Sequence, residues 1–205
     1  MTLPLQPDPE VAAVVLAAGE SRRMGRPKLL LPWGGKSLLR RAAEAALGAC
    51  RRVVVVVGPQ ADRMRSELTS LPVLVVTNPD YAEGIAASLR RGLQEVTDAP
   101  AALVVLADQP AVTAEHLCSL IQVYRKSGAP LAAASYGDAV GAPAVFARRL
   151  FPELLALRGD VGAKRVVEEH RQEAALVPVP EAAVDVDTPE DWEHLQGPAA
   201  GTAGG

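Results

Sequence analysis

A three-layer α/β/α fold with a mainly parallel central sheet is predicted by three observations. Short runs that are apolar throughout recur along the chain, and amphipathic stretches of helical spacing separate them. In addition, 49% of the 205 residues are apolar against 22% charged, enough to bury one core. Strands that do not alternate apolar with polar residues belong to a sheet covered on both faces. Strand–helix alternation then implies right-handed crossovers between parallel neighbours.

In chain order, Val11–Leu16, Val53–Val57, Val73–Thr77, Ala102–Leu106 and Leu131–Ser135 read as strands. Ser37–Ala49, Ala61–Leu68, Ile85–Val96 and Thr113–Lys126 read as helices; in the last, Leu117, Leu120, Ile121 and Tyr124 share one face. Residues 1–10, with Pro4, Pro7 and Pro9, form an expected flexible leader, and residues 196–205, rich in Gly and Ala, an expected flexible tail. Residues 11–195 are the expected single domain. Aromatic residues make up 3% of the chain, so the core must rest on Ala, Val and Leu.

A net charge of −3 argues against a nucleic-acid partner, which would need a basic surface. No apolar run approaches the ~20 residues of a spanning helix, and the first ten residues lack the basic and apolar regions of a signal peptide. The expectation is a soluble cytoplasmic protein with no membrane partner. Cys50 and Cys118 lie far apart and outside any C-x-x-C, which points to buried free thiols in a reducing compartment.

Ligands of such sheets lie outside the carboxyl ends of the strands, so the residues after each strand carry the chemistry. After the first strand the chain turns at Gly19 and delivers Arg22, Arg23, Arg26 and Lys28. The P-loop pattern fails here, because "GGKS" at 34–37 has Leu30 where the leading glycine should be. The dinucleotide pattern fails too, because the next glycine after Gly19 is Gly25. What remains is a glycine turn that lets backbone N–H groups approach an anion, with Arg23 and Lys28 to neutralise it. A solvated basic loop is the plain alternative.

In "VVLADQP" (104–110), Asp108 follows an apolar strand directly, which suits Mg²⁺ held by one or two carboxylates with substrate phosphates. A turn aspartate is the alternative, weakened because Thr113 is the better cap for the next helix. In "AVDVDTPEDW" (183–192), Thr188, Pro189 and Asp191 make a capping box. That leaves Asp185 and Asp187, on an expected short strand, free to complete a metal position opposite Asp108. His116, His170 and His194 fall in apparent helices, and nothing suggests zinc or an acyl-enzyme. Cations with one or two carboxylates and no nucleophile suit phosphoryl-type transfer.

"LAAGESRRMGRPKLLLP" (16–32) resembles the signature loop of nucleotidyltransferases. "NPDYAEGIAASLRRGL" (78–93), "LADQP" (106–110), "GAPAVF" (141–146), "LRGDVGAKRVV" (157–167) and "DVDTPEDW" (185–192) follow in the order and spacing of the molybdenum cofactor cytidylyltransferases and their close relatives. The resemblance runs from about Val11 to Trp192 and implies a Rossmann-like nucleotidyltransferase fold. It places Leu16, Ala17, Ala18 and Gly19 along the base and sugar of the nucleotide, and Arg23 and Lys28 on the triphosphate. It makes Arg23, Lys28 and Asp108 the catalytic set. Asp108 and Asp187 become Mg²⁺ ligands. Asn78, Gly84 and Ser88 fall in the stretch that closes over the nucleotide. Gly141, Pro143, Gly159, Asp160, Gly162, Ala163 and Lys164 fall on the acceptor side.

The implied reaction transfers CMP from CTP to the terminal phosphate of molybdopterin or Mo-molybdopterin, with release of pyrophosphate. A molybdenum hydroxylase or its chaperone is the implied recipient. Guanylyl-transferring relatives carry glycine where this chain has Ala18, whose Cβ could crowd a purine. The short link from Gly25 to Lys28 and Tyr81 in place of a frequent Trp depart from the pattern. GTP in place of CTP, a sugar-phosphate acceptor, or a non-catalytic cofactor carrier remain as alternatives.

Overall fold

The structure is a computed structural model and describes residues 6–196. The strands are β1 (Asp8–Ala17), β2 (Pro32–Trp33), β3 (Lys36–Ser37), β4 (Cys50–Val57), β5 (Leu74–Thr77), β6 (Ala101–Leu106), β7 (Leu131–Tyr136), β8 (Ala139–Ala147) and β9 (Ala175–Pro178). The helices are α1 (Leu38–Ala49), α2 (Ala61–Leu68), α3 (Ile85–Gln94), α4 (Ala114–Ser127), α5 (Phe151–Ala156), α6 (Lys164–Glu169) and α7 (Pro189–Gln196). Seven strands form one sheet in the order β5-β4-β1-β6-β8-β7-β9, and β2 and β3 form a separate ribbon. Every pairing in the large sheet is parallel except those of β8, which runs antiparallel to both β6 and β7. The predicted three-layer architecture with its mainly parallel sheet is the one observed.

The alternation of side chains along β1 divides the core in two. Val11, Ala13, Val15 and Ala17 join Leu38, Leu39 and Ala43 of α1, Met64 and Leu68 of α2, and Leu117, Leu120 and Ile121 of α4. Ala12, Val14 and Leu16 join Leu89 and Leu93 of α3, Leu154 of α5, and Val166 and Val167 of α6. Both faces are therefore covered, which is why the strands read as unbroken apolar runs. Ser37 caps α1, its hydroxyl accepting from the Arg40 N–H at 3.2 Å. The Thr113 N–H donates to His116 Nδ1 at 3.2 Å, so this histidine serves the start of α4.

Two expectations are corrected. β1 begins at Asp8 rather than Val11, because Arg125 of α4 binds Asp8 through Nε (2.7 Å) and Nη2 (2.8 Å) and also reaches Glu10 (2.8 Å). Asp8–Glu10 thus belong to the strand and not to a leader, and Gln196 ends α7 rather than opening a tail; residues 1–5 of the expected leader and 197–205 of the expected tail lie outside the described residues. Asp185 and Asp187 lie on no strand: 184–187 run beside the β6 loop and are joined to it by the Val186 N–H donating to the Asp108 carbonyl at 3.1 Å. Strands β8 and β9 were not predicted. Gly141 and Pro143 interrupt the apolar run of β8, and β9 is a short edge strand ending in a proline.

Among the described residues no helix is long and apolar enough to cross a membrane. Cys50 and Cys118 are both buried and unpaired with each other. Packing between α3 and the sheet depends on Gly92. A Cβ there would overlap Val14 Cγ1 and come within 2.8 Å of Val56 Cγ2, both in the centre of the core. Gly92→Ala is therefore expected to destabilise the fold by about 1–3 kcal/mol, the usual range for overpacking. Thermal melting would show it as a fall of roughly 2–4 °C per kcal/mol for a chain of this size.

Candidate active site

The carboxyl ends of β1 and β6 lie side by side, with Leu16 paired to Leu106 in register. The segments that follow them, Gly19–Leu29 and Ala107–Gln109, form the floor of a cleft. The basic loop is pinned from below: Met24 and Leu29 are buried in the core, and the Lys28 N–H donates to Ser21 Oγ at 3.2 Å. Those anchors fix the backbone and leave the charged ends free to face the cleft. The sequence reading gave Ser21, Met24 and Leu29 no role, although all three lie in the quoted signature stretch.

Lys28 is 7% exposed, and its ammonium donates to Asp108 Oδ2 and Asp187 Oδ1, both at 2.7 Å. Arg23 donates from Nη2 to the other oxygen of Asp187, also at 2.7 Å. Two carboxylates distant in sequence thus converge on one cation. Burial disfavours the Lys28 ammonium, yet the charges and hydrogen bonds of Asp108 and Asp187 outweigh it and hold its pKa above the usual value. Burial likewise acts against Asp187, but Lys28 and Arg23 outweigh it and hold this carboxyl below the ordinary carboxylate range. A depressed carboxylate stabilises the fold above its unfolded pKa and loses that contribution only as pH falls through the lower, folded value, so Lys28 and Asp187 face each other as a charged pair at neutral pH.

Asp185 stands beside this pair. Dehydration, then the charges of Asp108 and Asp187, push its pKa up to about 6. The residue as a whole keeps much of its surface in solvent, which leaves the two like charges as the more durable cause. Gln109 is buried and ties three segments together, donating from Nε2 to the Ala182 carbonyl at 2.8 Å and to the Ala142 carbonyl at 3.4 Å. Nothing in the spacing of the sequence marked it.

The cleft comprises a hollow of about 440 Å³ and an adjoining one of about 220 Å³. Leu16, Gly19, Ser21, Arg22, Arg23 and Asp108 are common to both. Lys28 and Asp187 close the smaller, and Tyr81, Gly84, Ile85, Ser88 and Asp160 the larger. The structure therefore brings together Leu16, Ala17, Ala18, Gly19, Arg23, Lys28, Gly84, Ser88, Asp108, Asp160 and Asp187. Asn78 is buried behind the wall, donating to Ser88 Oγ at 3.1 Å and accepting from the Asp80 N–H at 3.0 Å. Gly141 and Pro143 lie buried within β8, outside the lining; Gly162, Ala163 and Lys164, around the start of α6, also lie outside it, Ala163 buried and Lys164 exposed. Gly159 contributes its backbone, whose carbonyl accepts from the Ala86 N–H at 3.1 Å.

A divalent cation fits this donor set. The two carboxylate oxygens already share one cationic centre, and Mg²⁺ commonly takes one or two protein carboxylates with substrate phosphates and water. Among the described residues no group of three or more His, Cys, Asp or Glu side chains is placed to hold a metal, so nucleotide oxygens would complete the shell.

Comparison with known proteins agrees with this geometry. The family model described as "MobA-like NTP transferase domain" matches residues 13–174. Nicotine blue oxidoreductase of Paenarthrobacter nicotinovorans is 32% identical over 91% of this chain and 97% of its own length. Molybdenum cofactor cytidylyltransferase of Escherichia coli is 23% identical over 89% of this chain and 93% of its own. The crystal structure of Rv0371c from Mycobacterium tuberculosis in complex with manganese superposes with a TM-score of 0.74 at 30% identity, covering 91% of this chain and 98% of that one. With a matching model across most of its core and a cationic loop facing paired carboxylates, this chain is a nucleotidyltransferase and belongs to the MobA-like NTP transferase family.

Proposed function

We propose that the protein transfers CMP from CTP to the terminal phosphate of molybdopterin or its molybdenum-loaded form, releasing pyrophosphate. The observation that carries the reading is the Lys28 ammonium, 2.7 Å from both Asp108 and Asp187 at the mouths of the strands. Such a site supplies neutralisation and alignment, which is most of what phosphoryl-type transfer asks of a protein. The relatives' names support the choice unequally: one is named for cytidylyl transfer to the molybdenum cofactor and another as an oxidoreductase. Paired carboxylates beside Lys28 and Arg23 have an evident use in the first chemistry.

An acceptor phosphate is ionised at neutral pH and needs no general base. One of its oxygens forms a bond to the α-phosphorus of CTP as the bond from that phosphorus to the β-phosphate bridging oxygen breaks. The electron pair of the broken bond leaves with pyrophosphate. Lys28 and Arg23 meet the charge that grows on this leaving group, and Gly19 lets the loop backbone approach the phosphates. Asp108 and Asp187 would hold Mg²⁺, which when bound would supply Lewis-acid withdrawal of charge from the phosphates. Ala18 lines the larger hollow, and its Cβ favours the smaller pyrimidine over a purine.

The test measures pyrophosphate release with CTP and GTP in parallel, with Mg²⁺ and molybdenum-loaded molybdopterin. Turnover with CTP well above that with GTP is the expected result. Preference for GTP would keep the chemistry and overturn the role of Ala18. Binding of both nucleotides without turnover would overturn the proposed acceptor.

A further inference from the structure

We infer that Lys28 is an exchangeable occupant of the metal position: it neutralises Asp108 and Asp187 until a metal–triphosphate complex arrives, then passes the carboxylates to the metal and turns to the phosphates. The inference deepens the reading of the cleft as a metal–nucleotide site and rests on it.

Three features of the structure carry it. Lys28 Nζ lies 2.7 Å from one oxygen of each carboxylate, so ammonium and metal cannot share those two oxygens at once. Both carboxylates are already partnered, Asp108 by Lys28 and Asp187 by Lys28 and Arg23. A divalent ion entering alone would meet two cations in a confined space and would leave the Lys28 ammonium buried without a partner, which is strongly unfavourable. Entering with a triphosphate, it brings the anion that Lys28 needs on leaving the carboxylates.

Motion of this kind is confined to one side chain. The backbone of Lys28 is held by Ser21 Oγ and by the buried Leu29 next to it. A four-carbon stem with a compact charged end can swing while its backbone stays fixed. The adjoining hollow of about 220 Å³, lined by Lys28, Arg22, Arg23, Gly19, Asp108 and Asp187, gives it space in which to do so. Arg23 is differently placed: its side chain is 69% exposed and, among the described residues, pairs with Asp187 and not with Asp108, so it does not bridge the two.

The test is Mn²⁺ binding to the full chain, read by electron paramagnetic resonance or calorimetry, with and without CTP and with no acceptor present. In the wild type, CTP is expected to raise the apparent Mn²⁺ affinity by roughly 5–150-fold, the usual span of site-to-site coupling. Lys28→Met is expected to bind Mn²⁺ alone about ten-fold more tightly or better, yet to bind Mn²⁺ with CTP less tightly than the wild type. Arg23→Met removes the same charge without removing the bridge and should gain less than about three-fold for Mn²⁺ alone. Equal gains in the two variants would reduce the effect to simple charge removal and overturn the proposal. So would wild-type protein that binds Mn²⁺ equally well with and without CTP, a result that stands even if Lys28→Met does not fold. Binding that is unchanged in Asp108→Ala under every condition would instead overturn the metal reading of the cleft, and this inference with it.

Discussion

Asp108→Ala is expected to lower the rate of nucleotidyl transfer by about 10²–10³-fold, the usual effect of losing one charge-stabilising contact, because Asp108 positions Lys28 and would hold the metal. Asp108 touches the Lys28 ammonium directly, and it follows β6 without an intervening residue that could compensate beyond Ala107. Lys28 would still have Asp187, 2.7 Å away in the wild type, as a partner, so the fold should survive with a modest fall in melting temperature. Single-turnover pyrophosphate release measured beside a thermal melt separates the two effects. A variant that melts normally and still turns over at the wild-type rate would remove Asp108 from the chemistry.

Gly84→Ala should be nearly as severe by a different route. Gly84 has φ +103°, a conformation that L side chains rarely adopt. A Cβ there would overlap the backbone carbon and oxygen of Gly159 and come within 2.5 Å of Asp160 Oδ1. The Asp160 carboxylate can swing aside but the Gly159 backbone cannot, so the 157–160 loop must lift from the start of α3. Backbone strain of this kind costs about 1–3 kcal/mol. Displacement of a cleft wall by about 1 Å can reduce transfer about 10²-fold. The Ala86 amide, which donates to the Gly159 carbonyl at 3.1 Å, is the local reporter: it should exchange its hydrogen faster in the variant. Unchanged exchange together with unchanged transfer would show that the loop does not depend on this contact.

The parts of the fold legible in the sequence were those whose signal is local. Unbroken apolar runs gave the central strands because both sheet faces are covered, and Thr113 and Thr188 marked helix starts through hydrogen bonds within a few residues. β8 was not legible, since it is set by pairing with β6 and β7 and carries glycine and proline in its own sequence. The candidate site divides along the same line. Arg23, Lys28 and Asp108 stood out because each follows a recognisable strand. Asp187 rested on a weaker inference, and the assignment of its segment to a strand failed: a tether to the Asp108 carbonyl, invisible in the sequence, holds it in place. Gln109 and Ser21 escaped for the same reason, as their partners lie far along the chain or are backbone atoms. Asn78 shows the reverse, a polar residue in a conspicuous stretch whose hydrogen bonds are spent on Ser88 and Asp80 behind the cleft wall.

The tether between Val186 and Asp108 also bears on how the protein is made. Synthesis from the amino end delivers the glycine loop, Lys28 and Asp108 long before the segment carrying Asp187 emerges from the ribosome. Until that segment docks, Lys28 has half of its carboxylate partners and the cleft lacks one of its walls. An unfinished chain could enclose part of a nucleotide yet would lack the arrangement that activates it. Under the proposed role of Asp187, competence for transfer would come only once this late segment has docked against the β6 loop.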